Sequence, residues 1–158
     1  MTDVSDVFAA YGRAAYYSQL LEYDLISIWM LDSITQGVSV TRGDLVKFQG
    51  DWSQKTLGKL LHPLKQSPLL PADLKQFLEI VRKTRNTLAH DFFLTVGTDL
   101  QTPNGRETAI AELHQMTNVL MNAQTLFRNV LAEYGRDFGV DYDEIIRQLL
   151  KENAEQGC

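Results

Sequence analysis

The apolar side chains between residues 74 and 95 constrain the fold more than any other feature of the chain. They recur at alternating steps of four and three residues, which is the spacing of one continuous stripe on an α-helix. The members of this stripe are Leu74, Leu78, Val81, Arg85, Leu88, Phe92 and Thr95. Because Arg85 stands inside an otherwise apolar stripe, its guanidinium must be paired or only partly desolvated, which predicts a helix interface with a polar cleft.

Helical signals extend along most of the chain, and no segment predicts a strand convincingly. The predicted helices run from about Asp3 to Gln36 with Gly37 as the stop, from Thr41 to about Lys65 with an interruption near Gly50, from Pro71 to about Thr95, from Asn104 to about Tyr134, and from Asp141 into the polar end. Asn104 with Glu107, and Asp141 with Glu144, have the spacing of capping boxes. The prediction is therefore all-α: an antiparallel four-helix or five-helix bundle in one domain, residues 1–153, with a polar tail, 154–158.

Length and composition favour one compact domain in the cytoplasm. A chain of 158 residues with 44% hydrophobic residues supports a single sizeable core. No apolar run is long enough for a membrane span, and the first residues lack the basic start and apolar run of a signal peptide. The one cysteine is the terminal Cys158, so a disulfide or a cysteine metal cage is excluded. No phosphate loop or metal-ligand motif is present, and the sequence predicts no cofactor.

Arg85, Asn86 and His90 are the residues best suited to chemistry. An imidazole moves protons near neutral pH, and a guanidinium neutralises charge that develops on phosphate oxygens, so the pair suits a reaction at a phosphodiester. On a regular α-helix, residues five apart lie about 140° apart around the axis, so Arg85 and His90 need a second surface to converge. Asn86 and His90, in contrast, lie one turn apart on the same flank as Arg82.

The charge distribution places positive potential next to these residues. The net charge is −5, but residues 45–85 hold eight Lys or Arg against three Asp or Glu. Arg82 and Lys83 end this basic segment, and we expect them to bind substrate phosphates. The plainer alternative is that the lysines of this segment cover the solvated faces of two helices.

The pattern Arg-Asn-x-x-x-His on the third long helix of a small helical protein resembles the HEPN superfamily, whose signature is an arginine followed by four to six residues and a histidine. The resemblance covers the helix layout of most of the chain, and residues 85–93 in specific sequence. It implies a dimeric, metal-independent endoribonuclease in which Arg85 and His90 are catalytic and Asn86 supports them. Members modified by a partner nucleotidyltransferase carry a tyrosine two positions after the histidine, where this chain has Phe92.

The predicted function is therefore cleavage of RNA by its own 2′-hydroxyl, in a toxin or defence setting, with the two motif helices of a homodimer facing each other. RNA is the expected substrate, and DNA and membranes are not expected partners. A protein antitoxin or regulator is a further candidate partner. Leu88 and Phe92 are expected to form the dimer contact. Two alternatives stay open: a non-catalytic module that binds RNA, a nucleotide or a protein, and a structural homodimer in which Arg85 pairs with a carboxylate such as Asp91.

Overall fold

The computed structural model describes residues 2–37, 61, 64–137 and 139. All regular secondary structure in this part of the chain is helical. Its helices are α1 (Val4–Thr35), α2 (Ala72–Asn86), α3 (Phe92–Val96) and α4 (Pro103–Asp137). A π turn (Thr87–Asp91) joins α2 to α3, and a 3-10 turn (Asp99–Gln101) precedes α4. The all-α class is confirmed. Of the predicted second helix only residues 61, 64 and 65 are described, and they are helical, while the predicted last helix and the tail 154–158 lie outside the described residues.

The first helix begins and ends where the sequence predicts. Asp3 caps its start, and the Asp6 carboxylate in turn accepts a hydrogen bond from the Asp3 backbone N–H. At the other end, Gln36 is the C-cap, and Gly37 follows with a φ of 80°. Only glycine adopts that left-handed conformation without steric cost, which explains why the helix ends here.

Contacts between distant residues fix the directions of the long helices. The Ser67 hydroxyl donates to the Asp32 carboxylate near the end of α1, whereas the Tyr11 hydroxyl donates to the Leu88 carbonyl near its start. The chain from 67 to 88 therefore runs antiparallel to α1. Helix α4 runs in the same direction as α1, because the Arg106 guanidinium at its start donates to the Thr2 carbonyl.

One apolar core lies between α1, α2 and α4. The largest side chains that these helices bury completely are Leu21, Leu25, Ile28, Leu78, Leu113, Leu120, Phe127 and Leu131. Burial of such side chains from three elements stabilises the arrangement through the hydrophobic effect. None of the described helices is both long enough and apolar enough to cross a membrane.

Two predicted helix starts differ from the structure. Helix α2 begins at Ala72, directly after Pro71, so the shift there is one residue. The capping box predicted from Asn104 and Glu107 is wrong, because α4 already begins at Pro103. Thr102 is the residue that caps α4, since its hydroxyl accepts a hydrogen bond from the Gly105 backbone N–H at 3.0 Å. Proline suits the first helical position because its missing N–H would have no partner there.

A buried polar pair interrupts the apolar contact between α1 and α4. Asp24 on α1 and Gln124 on α4 are 5% and 8% exposed. Within the described part of the chain, Asp24 Oδ2 and Gln124 Nε2 have no hydrogen-bond partner. Burial raises the pKa of Asp24 to about 6, against smaller opposing effects of the Arg128 charge and the nearby Gln124 side chain. The ionised carboxylate is therefore an unfavourable group in this interface at neutral pH.

We predict that Asp24→Asn stabilises the protein at pH 7 and changes little at pH 4. The folded-state pKa of about 6 lies above the 3.8 of an aspartate in an unfolded chain, so the folded protein holds this proton more tightly than the unfolded chain does. The stabilisation that comes from this tighter proton binding is fully present below the pKa of Asp24 in the unfolded chain. It is lost as pH rises through 6. At pH 7 the Asp24→Asn change should raise the free energy of unfolding by at most about 3 kcal/mol, since each pKa unit corresponds to about 1.4 kcal/mol.

Urea denaturation of both proteins across this pH range measures the effect. The difference between variant and wild type isolates Asp24 from all other titrating groups. Asp91→Asn is the matched control, because Asp91 is exposed. Parallel stability curves for wild type and Asp24→Asn would contradict the prediction.

Candidate functional site

His90 lies on a π turn that directly follows α2, the helix that carries Arg85 and Asn86. In the turn Thr87–Asp91, the backbone N–H of Phe92 donates to the Thr87 carbonyl, five residues earlier. In an α-helix the same N–H would donate to Leu88, four residues earlier. Single π turns inside α-helices are rare and occur frequently at functional sites. The segment predicted as a helix from Pro71 to about Thr95 is therefore helical from Ala72 to Val96, with this irregular turn between Arg85 and Phe92.

Tyr11 on α1 supplies the partner that the π turn requires. Its hydroxyl donates to the Leu88 carbonyl at 3.2 Å, which is the carbonyl that the Phe92 N–H would bond in an α-helix. The Tyr11 ring also lies 6.0 Å from the Phe92 ring and 4.8 Å from the Phe93 ring, between ring centroids. Such tilted aromatic contacts are favourable. Helix α1 thus donates a hydrogen bond to the segment that carries His90 and packs against it.

The additional residue in the π turn changes which side chains share a face. Residues five apart are joined by the characteristic hydrogen bond of a π turn, so they lie closer to one face than in an α-helix. The angle between Arg85 and His90 around the axis is therefore smaller than the 140° of a regular helix. The same shift explains a departure farther along, where Val96 is buried and Thr95, the expected member of the apolar stripe, is exposed.

Arg85 is held by an ion pair with helix α1. Its Nη2 atom lies 3.0 Å from Oε1 of Glu22, and the two side chains are 21% and 34% exposed. The guanidinium is thus paired and partly desolvated, as expected for a cation in this stripe. The partner is Glu22 of the same chain, whereas the structural-dimer alternative named Asp91. A guanidinium has five N–H donors, so this contact leaves donors for a second anion.

Arg82 and Lys83, the predicted phosphate ligands, have different surroundings. Arg82 Nε lies 3.0 Å from Oε2 of Glu79, and Lys65 pairs with the other oxygen of the same carboxylate. The hydrogen bonds from Lys65 and Arg82 lower the pKa of Glu79. Lys83 is exposed on the neighbouring face of α2. Of the two, Lys83 is the cation whose ammonium has no partner in the described structure.

His90 is exposed on the π turn, and Asn86 at the end of α2 is half-buried. In the described residues, no hydrogen bond joins Arg85, Asn86 and His90 to one another. The structure brings the five predicted residues onto one helical segment, and it adds Glu22 and Tyr11, which sequence reasoning did not select. Glu22 is 63 positions from Arg85 in the chain, so no local spacing indicates their contact.

The described residues contain no group of three or more His, Cys, Asp or Glu side chains placed to bind a metal ion. Comparison with protein-family models, curated proteins and solved structures finds no match to this chain. The features of this chain that indicate a function are therefore the geometry of the motif segment and the spacing of its arginine and histidine.

We predict that Tyr11→Phe destabilises the protein by about 1 kcal/mol, the usual net contribution of one hydrogen bond. The variant keeps the ring that packs on Phe92 and Phe93 and removes only the hydroxyl that binds Leu88. Chemical denaturation monitored by circular dichroism measures the change. Tyr16→Phe is the matched control on the same helix, and it should alter the free energy of unfolding by less than about 0.5 kcal/mol because Tyr16 is exposed. Equal effects of the two changes would contradict this role of Tyr11.

Proposed function

We propose that the chain is a HEPN-type endoribonuclease that cleaves RNA at a site formed by Arg85, Asn86 and His90 of two subunits. The observation that carries the proposal is the exposed His90 on a π turn directly after Arg85, whose guanidinium is oriented by Glu22 and still partly exposed. A group that can transfer protons and a cation held by a carboxylate thus lie five residues apart on one helical segment, and both are at least partly accessible. Both groups suit a reaction at a phosphodiester.

In the proposed reaction, the 2′-hydroxyl of the substrate attacks the adjacent phosphorus. One His90 removes the proton from that hydroxyl as the 2′-oxygen–phosphorus bond forms, and the bond from phosphorus to the 5′-oxygen breaks. The leaving 5′-oxygen receives a proton, which gives a 2′,3′-cyclic phosphate and a 5′-hydroxyl. Arg85 stabilises the negative charge on the phosphate oxygens, and Asn86 orients the imidazole or the phosphate. No metal ion takes part in this scheme.

A two-fold dimer would supply the second proton-transfer group. One histidine does not easily act as base and acid in the same step, and an isologous interface along the motif segment brings two copies of His90 to one cleft. Exposed apolar side chains beside the motif support such an interface: Phe8, Phe93 and Leu94 are 57%, 37% and 85% exposed. Leu88 and Phe92, the residues expected to form the contact, are instead buried within the single chain.

We predict that the wild-type protein cuts single-stranded RNA in the presence of EDTA, leaves DNA of the same sequence intact, and produces 2′,3′-cyclic phosphate ends. His90→Ala should abolish cleavage. Arg85→Ala should raise the activation free energy by roughly 2.7 to 4 kcal/mol, the cost of removing one preorganised charge stabiliser. Arg85→Lys should recover only part of the rate, because an ammonium lacks the planar fork of a guanidinium.

Gel analysis of labelled RNA and mass spectrometry of the product ends measure these outcomes. His114→Ala is the matched control, because His114 is an exposed histidine on α4, away from the motif. It should cleave at the wild-type rate with an unchanged melting temperature. Cleavage by His90→Ala at the wild-type rate, or loss of activity in His114→Ala alone, would overturn the assignment of His90.

We predict that Leu94→Glu converts a dimer to a monomer and abolishes cleavage without unfolding the chain, since Leu94 is 85% exposed in the single chain. A charge placed in an apolar contact between subunits is costly. Sedimentation velocity measures the assembly state, and circular dichroism measures the fold. Leu126→Glu, at a partly exposed position on α4, is the control and should remain dimeric. Wild-type protein that is monomeric at micromolar concentration would contradict a shared site.

A non-catalytic binding module is the second candidate, and the Arg85–Glu22 pair favours it. A guanidinium already neutralised by a carboxylate serves as a structural link between α1 and α2. In that case the motif would bind RNA, a nucleotide or a protein without transforming it. RNA that binds equally to wild type and His90→Ala and remains uncut would support this candidate over the ribonuclease.

A further inference from the structure

The motif segment is bound by helix α1 at two points. The Tyr11 hydroxyl donates to the Leu88 carbonyl at 3.2 Å, and the Glu22 carboxylate lies 3.0 Å from the Arg85 guanidinium. Tyr11 and Glu22 are eleven residues apart, which is about three turns of an α-helix, so they lie on the same side of α1. One helix therefore binds the arginine of the motif directly and also binds the turn that carries its histidine.

The π turn brings His90 around the helix axis towards Arg85. The bond from the Phe92 N–H to the Thr87 carbonyl spans five residue steps, where an α-helical bond spans four. Each residue of the turn is therefore rotated by about 80° from the one before it, in place of the 100° of an α-helix. By the same geometry Arg85 and His90 lie about 80° apart, whereas a regular helix would place them about 140° apart.

The Tyr11 hydroxyl compensates for the hydrogen bond that the π turn gives up. In an α-helix the Leu88 carbonyl would accept from the Phe92 N–H, and here that N–H donates to Thr87. A backbone carbonyl without a partner in a packed region is costly, and the Leu88 side chain is 3% exposed. The Tyr11 ring is held in place by the Phe93 ring at a centroid distance of 4.8 Å. Loss of the hydroxyl alone should therefore favour the α-helical pattern over the π turn.

We propose that Tyr11 is a positioning residue of the candidate site, which acts through the π turn to hold His90 at its angle to Arg85. Tyr11 itself does not touch the reacting atoms. The reaction in this assignment rests on the proposed ribonuclease function. The positioning role is complete within one subunit, because the tyrosine, the turn and both motif side chains belong to the same chain.

Steady-state cleavage of single-stranded RNA separates a positioning role from a purely structural one. Tyr11→Phe should lower kcat roughly 10-fold to 100-fold, because misplacing a catalytic group by about 1 Å costs up to about 10²-fold in rate. KM should change less than about 2-fold, since the variant leaves the cations Arg85 and Lys83 intact. Thr117→Val is the matched control, because it removes a buried hydrogen bond, to the Leu113 carbonyl, within α4. It should keep the wild-type kcat.

Deletion of Ala89 tests the turn without reference to catalysis. With one residue fewer, the Phe92 N–H lies four residues after Thr87, which is the α-helical spacing. The segment can then form a regular α-helix in which the Leu88 carbonyl accepts from a backbone N–H, so Tyr11 is no longer needed. Tyr11→Phe should lower the melting temperature of the wild type by about 2 to 4 °C, and that of the deletion variant by less than half as much.

Deletion of Ala111 is the matched control, because Ala111 is also an exposed alanine but lies in the regular helix α4. Its loss rotates the two parts of that helix by about 100° relative to each other, and it should abolish the cooperative thermal transition. The proposal is overturned if deletion of Ala89 unfolds the chain in the same way. It is also overturned if Tyr11→Phe lowers the melting temperature equally with and without Ala89.

The cleavage measurements separate this proposal from the proposed function. Wild-type protein that cuts RNA, with an unchanged kcat in Tyr11→Phe, supports the ribonuclease and overturns the positioning role. An equal loss of kcat in Tyr11→Phe and Thr117→Val overturns the positioning role as well, since loss of stability alone would then explain it. Wild-type protein that cuts no RNA contradicts the ribonuclease, and the positioning role in cleavage is overturned with it. The melting temperatures then decide separately whether Tyr11 supports the π turn.

Discussion

The hydrogen bond from the Tyr11 hydroxyl to the Leu88 carbonyl stabilises the π turn of the motif segment. A π turn leaves the α-helical bonding pattern, and a backbone carbonyl without a partner in a packed region is costly. Tyr11 provides a partner from another helix, so the irregular turn is compatible with a packed interior. His90 lies exposed on this turn, and Phe92 and Val96, which follow it, are buried. Helix α1 is thus a structural part of the candidate site.

The Arg85–Glu22 pair gives the arginine two functions in the same structure. It links α2 to the middle of α1, and it holds the guanidinium in one direction. A cation held in place by a second group needs little reorganisation when charge develops on a phosphate, which is the condition for effective electrostatic stabilisation. The partial exposure of both side chains leaves the pair accessible to a ligand.

The spacing of apolar residues predicted the helices and most of the buried residues. Residues that recur at helical spacing lie on one face of a helix, and that face packs against the core. The stripe from Leu74 to Phe92 is buried apart from its arginine, and α1 has the predicted limits. The π turn was not predicted, because a step of four residues from Phe92 to Val96 is as ordinary in an α-helix as the expected step of three to Thr95. Glu22 and Tyr11 were missed because their contacts join distant parts of the chain.

The ion pair at Arg85 also has a consequence for selectivity among anions. A ligand must exchange with the Glu22 carboxylate, or add to a guanidinium whose charge is already balanced, before it gains the full interaction. A small monovalent anion interacts with the guanidinium no more strongly than the Glu22 carboxylate does, so it does not displace this carboxylate readily. If the chain binds RNA as proposed, a phosphodiester anchored at neighbouring nucleotides would reach the same guanidinium at high effective concentration, as any tethered group does. The pair would thus act as a filter that favours polymeric phosphate ligands over free ions in the surrounding solution.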